Sequence, residues 1–171
     1  AFGVPRQTVW MAFALLIVLN AVVFFAVQTL MPPSAEVLEV MPSMMQSPFL
    51  FTILLGGTLV VMIHAIFWAG RAMGGKGDLG DILVVMTWLQ VLRLLAQVAL
   101  FVLQLLLGNI AAFLAMIAGL WGLWILVEFI DVAHRFDNRA RAFGVLVGAM
   151  FALFFGLMIM VTLIGVVAMG S

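Results

Sequence analysis

The chain has 171 residues, 67% hydrophobic and 8% charged, with seven basic and seven acidic residues and no formal net charge. A soluble domain carries about 25% charged residues, so these letters cannot build a water-facing shell, and they describe an integral membrane protein. The even charge leaves no basic face for nucleic acid, and the lack of cysteine excludes disulfides, thiolate metal sites and cysteine nucleophiles.

Five apolar runs each reach the roughly 20 residues that a helix needs to cross a bilayer. They cover 9–30, 49–70, 82–107, 110–130 and 144–169. The predicted fold is all-α: one transmembrane domain over 1–171, a polytopic bundle of five helices. The first run follows Arg6 in the manner of a signal peptide. Its apolar part exceeds the roughly 7–15 residues of a signal core, so a retained span is expected.

The segment 31–48 reads as a polar, proline-rich loop with Glu36 and Glu39 and no basic residue. Its MPSMM stretch (41–45) offers thioethers, which suit Cu(I), but methionine is commoner as an apolar gap-filler, and an interfacial loop is expected. In the second span, His64 lies seven residues before Arg71. The connection GRAMGGKGDLGD (70–81) is glycine-rich and charged. Gly70 to Lys76 fits the spacing of a phosphate-binding loop, yet Gly77 stands where Ser or Thr must hold magnesium, and a membrane helix precedes it where a strand is required.

The third span carries Gln90, Arg93, Gln97 and Gln104 within an arc of about 60° on one helix face. Such a polar stripe is expected to turn away from lipid. Arg93 lies about 18 Å from Asp81 along the axis, which strains snorkelling to the interface. Gly108 and Asn109 give a tight turn into the fourth span, and folding about it places position 93 near 124, with Glu128 one turn further. Gln90, Arg93, Gln97, Glu128 and His64 are therefore a candidate buried polar cluster, either an ion pair fixing helix register or a proton or ion relay.

The segment DVAHRFDNRARA (131–142) is the most charged of the chain. Arg135, Arg139 and Arg141 are candidates for contact with anionic headgroups or with a partner. In the fifth span Gly144, Gly148, Ala152 and Gly156 recur every four residues. They form a small-residue ridge for close helix packing, within the bundle or against a partner or a second copy. The fourth span has a shorter ridge at Ala111, Ala115 and Gly119.

Arg6, Arg71, Lys76, Arg135, Arg139 and Arg141 all fall on one side if the spans alternate. The positive-inside rule then puts the N-terminus in the cytoplasm and the C-terminus outside. One lysine against six arginines, with abundant Ala, Val, Leu and Gly, matches usage common in high-GC bacteria. A bacterial cytoplasmic (inner) membrane is the expected location. With His64 and His134 alone, no nitrogen-rich zinc site is available. Ser34, Ser43 and Ser47 are expected on the side opposite His134, so no Ser–His–Asp arrangement can be argued. No metal, cofactor or catalytic residue is expected.

Two stretches carry a family likeness: GGKGDLGDILVVMTW (74–88) and LWGLWILVEFIDVAHRFDNRARAFGVLVGAMF (120–151). With the five spans, they resemble the bacterial branch of the Yip family (Ypt-interacting proteins), over roughly residues 50–169. The resemblance implies a membrane-embedded helical architecture and a non-enzymatic role. Eukaryotic members of that family bind small GTPases in membrane traffic. This chain has no tyrosine, lacks the Asp-Leu-Tyr motif of those members, and lacks a proline often present in the third span, so GTPase binding is not carried over.

Two functions compete. A scaffold or interaction protein, an accessory subunit of a larger membrane complex, fits the likeness and the ridges. A small transporter or ion pathway fits the stripe with His64 and Glu128, but the chain lacks the internal repeat that many transporters show.

Overall fold

A computed structural model of the chain describes residues 5–169, with side chains described throughout that range except at 43, 44, 109, 157 and 159–169. Seven helices follow in order: α1 (Arg6–Leu30), α2 (Ala35–Val40), α3 (Ser43–Gln46), α4 (Pro48–Ala72), α5 (Leu79–Leu107), α6 (Asn109–His134) and α7 (Arg139–Met169). Among the described residues there is no strand. Five helices, α1, α4, α5, α6 and α7, are long and apolar enough to cross a membrane, as the sequence predicts.

Several of these helices continue past the apolar runs into polar residues. α6 runs on to His134 and α7 starts at Arg139, in the charged segment expected to connect them. The segment 31–48 differs from expectation as well: it holds the short helices α2 and α3. Its prolines precede or start helices instead of breaking them. Pro42 stands just before α3 and Pro48 opens α4, positions where a fixed φ and a missing N–H cost nothing.

The chain divides into two compact units. Unit 1 comprises Ala1–Leu59 and Leu83–Leu126. On α1, Phe13, Ile17 and Ala21 recur every four residues and are buried. An added methyl at Gly56 of α4 would meet Ile17 at 3.6 Å, ordinary contact. Phe24 stacks on Phe51 with centroids 4.6 Å apart, and Phe25 meets Phe51 edge-on at 5.6 Å. Each such pair contributes about 0.5–1.5 kcal/mol beyond area burial, which matters in lipid, where helix association depends on packing.

Unit 2 comprises Val60–Ile82 and Val127–Ser171. Its core takes Ile63 and Ile66 from α4, Ile82 from α5, Ile130 and Ala133 from α6, and Ala142, Val145, Leu146 and Ala149 from α7. The four α7 residues follow the helical period, which aligns one face of that helix inward. The first two members of the small-residue ridge serve this unit. Gly144 is covered by Met73, whose Cε would lie 3.0 Å from an added Cβ, and Gly148 faces Ala69 at 3.9 Å.

Candidate functional site

Unit 2 contains the most tightly specified polar structure among the described residues. Two helix ends meet there, and both close with the same backbone device. At the end of α4, Gly74 takes a left-handed φ of 84°. Its N–H donates to Arg71 O at 3.1 Å, and Gly75 N–H donates to Gly70 O at 2.8 Å. This is a Schellman motif, which satisfies the last carbonyls of a helix. At the end of α6, Arg135 takes φ 56°. Its N–H donates to Val132 O at 3.3 Å, and Phe136 N–H donates to Asp131 O at 3.2 Å. The second motif thus places an arginine where glycine is preferred, at a cost of about 1–2 kcal/mol.

His134, the last residue of α6, is the centre of the junction and is fully buried. Its Nδ1–H donates back to Ile130 O at 3.1 Å, which leaves Nε2 as a buried lone pair without a partner. The ring stacks on Phe136 at 5.2 Å. The carbonyl of His134 accepts a hydrogen bond from Lys76 N–H at 2.9 Å, which ties the glycine-rich segment to the end of α6.

The glycines explain how that segment approaches so closely. A Cβ at Gly70 would overlap the imidazole of His134, and one at Gly77 would overlap the carbonyl of Ala133. At Gly75 it would stand 2.7 Å from His134 Cδ2 and 2.8 Å from Gly70 O. Gly70 and Gly75 therefore cradle the imidazole, Gly77 makes room for the backbone at Ala133, and Gly74 makes the turn. The spacing GxxxxGK belongs to this cradle.

The turn from α6 into α7 is equally determined. Asn138 caps α7: its Oδ1 accepts from Ala140 N–H at 3.0 Å and Arg141 N–H at 3.2 Å. Asn138 N–H in turn donates to Asp131 Oδ1 at 3.0 Å. Around this frame stand exposed cations. Arg139 pairs with Glu128 at 2.7 Å, Arg135 approaches Asp81 at 3.9 Å, and Arg71 lies over the Phe67 ring at 5.8 Å. Arg141 is exposed.

The residues of the expected polar cluster fall as follows. Glu128, expected to answer Arg93, makes its ion pair with Arg139. His64 is exposed, and its Nδ1–H donates to Val60 O of its own helix at 2.8 Å. Arg93 is exposed on α5. Gln90 is buried, and its backbone carbonyl lies 3.4 Å from the Nδ2 of Asn20, a buried residue that the sequence reading passed over. Gln97 is half-buried, with Oε1 unpartnered. On α7, Ala152 and Gly156 are exposed, and nothing lies within 4 Å of an added Cβ at Gly156. The side chains of Ser43 and Met44, in the methionine-bearing stretch, lie outside the described ones.

Sequence reasoning missed His134 and its cradle. The available signal was an excess of glycines: one left-handed turn needs one, and the segment 70–81 has five. Among the described residues no three His, Asp or Glu side chains converge as metal ligands would. The junction offers backbone closure, ringed by charges of both signs.

Five apolar helices make this an integral membrane protein in contact with the bilayer. The chain matches the family model described as the Yip1 domain over residues 3–161, and it belongs to the Yip family. No curated protein and no solved structure matches it.

Proposed function

We propose that the protein is a non-enzymatic scaffold, an accessory subunit that seats against another membrane protein or a second copy of itself. We place it in a bacterial cytoplasmic membrane, with the N-terminus in the cytoplasm. What supports this reading is the split use of the α7 ridge. Gly144 and Gly148 are engaged by Met73 and Ala69, while Ala152 and Gly156 stand open on the same face. Small residues let helix backbones approach in lipid, where packing drives association. Arg135, Arg139 and Arg141 add a cationic margin that holds anionic headgroups, at about 1 kcal/mol each. The test is purification of tagged protein from its own membranes in mild detergent. A partner or second copy retained at fixed stoichiometry by the wild type is lost from Ala152→Leu/Gly156→Leu, which still elutes as a folded species. Equal retention by both proteins rejects the reading.

A second reading is a polar pathway along the α5 stripe of Gln90, Arg93 and Gln97. It is favoured by two buried amide oxygens on the α5 stripe, Gln90 Oε1 and Gln97 Oε1, that lack partners. Solute or proton flux in liposomes, abolished by Arg93→Leu with the fold retained, is its signature.

A further inference from the structure

His134 is one of two histidines in the chain, and it is fully buried where the ends of α4 and α6 meet. Histidine is the side chain whose ordinary titration, near pH 6.5, falls in the physiological range. The hydrogen bond from its ring to Ile130 O fixes the neutral tautomer, because a carbonyl only accepts. Nδ1 carries the proton and Nε2 is bare. Nε2 stands where a side chain at Gly70 would begin. It therefore faces a glycine Cα–H, and among the described residues it has no hydrogen-bond partner.

Protonation of the ring puts a second N–H at that atom. A buried donor that carries charge and finds no acceptor is disfavoured on both counts. The close fit against Gly70 leaves no room at Nε2 for a bridging water. The surrounding charges do not offset this. Arg71 of α4 and Asp81 of α5 act on the ring with opposite signs, and Arg135 approaches Asp81 at 3.9 Å. Lys76, in the connecting segment, is exposed. On α6 itself Asp131 accepts from Asn138 N–H, and on α7 Arg139 pairs with Glu128. A charged ring is accommodated only if the glycine-rich segment withdraws. The hydrogen bond that ties that segment to α6 runs from Lys76 N–H to the carbonyl of the same histidine.

We propose that the His134 cradle is an acid-operated latch, which holds the segment 70–81 against the end of α6 while the imidazole is neutral and releases it when the ring takes up a proton. The latch is independent of the scaffold reading. In acid the closed form binds one proton fewer than the open form at this residue. Closure is therefore fully present above pH 6.5 and is lost as pH falls below it, about tenfold in the opening equilibrium per pH unit. Between pH 7.5 and 5.5 the open population rises about tenfold.

The test is hydrogen exchange of full-length protein in lipid nanodiscs at pH 7.5 and 5.5, with each amide rate divided by that of a free peptide at the same pH. Protection of the Lys76 amide is expected to fall about tenfold at the lower pH in the wild type, and to be the same at both in His134→Gln, which cannot titrate. Asp81→Asn keeps the wild-type response. A second measurement does not depend on how well His134→Gln folds. In His64→Asn protein His134 is the sole histidine, and its ring nitrogen resonances report the Nδ1–H tautomer. That signal should lose intensity as pH falls, with no shift toward imidazolium while Lys76 stays protected. Unchanged Lys76 protection in the wild type overturns the proposal, as does an equal fall in His134→Gln or a response lost in Asp81→Asn. An imidazolium signal from the closed form overturns it as well.

Discussion

At the scale of single residues, the junction turns on Gly70 and His134. A methyl at position 70 needs the space of the imidazole, and overpacking of this kind costs about 1–3 kcal/mol. Gly70→Ala is therefore expected to destabilise, and His134→Ala to destabilise by opening a cavity. The double variant should be more stable than the sum of the two losses by about 0.5–3 kcal/mol, because the methyl then occupies vacated space. Thermal unfolding in detergent across the four proteins measures this, and strict additivity would show that the two positions do not share that space. Arg135 gives a prediction of opposite sign. Its left-handed backbone, φ 56°, suits glycine, and its ion pair at 3.9 Å is exposed and weak. Arg135→Gly should raise stability by about 1 kcal/mol. A fall in the unfolding midpoint would mean that the guanidinium contributes more than the backbone loses.

At the scale of elements, caps decide where helices stop. Asn138 links the α6 turn to the first amides of α7, accepting from Ala140 and Arg141 at Oδ1 and donating its backbone N–H to Asp131 Oδ1. Asn138→Ala should cost about 1 kcal/mol, read as earlier hydrogen exchange at Ala140 and Arg141. The existence of the five long helices was legible from the length of their apolar runs alone, since a bilayer demands about 20 residues whatever the packing. Their polar ends were not, because hydropathy is silent on hydrogen bonds. The same limit explains Glu128. Its charge identified it as a group that needs a partner, but distance along the helix could not choose between Arg93 and Arg139, which follows it by eleven residues and returns through a turn. The cradle was hidden for a different reason: glycines for turning and glycines for close approach look alike in a sequence, and only the backbone separates Gly74 from Gly70, Gly75 and Gly77.

At the scale of the whole molecule, the distribution of cations makes a topological prediction. Six of the seven basic residues fall at spans' ends that alternation assigns to one side, while 31–48 carries none. These 171 residues contain no cysteine, so single cysteines introduced among them report cleanly. A cysteine at Lys76 should resist a membrane-impermeant maleimide in intact cells, and one at Glu36 should react; the reverse pattern inverts the orientation. The family match over residues 3–161 fixes the class of protein.

One small feature constrains how the chain is made. Gly108 alone joins α5 to α6, with φ 53° and its N–H donating to Gln104 O at 3.1 Å. A one-residue link leaves no slack for one helix to wait in the translocation channel while the next is synthesised. These two must enter the lipid side by side, as a preformed pair. Lengthening that link with a flexible insert would uncouple their entry.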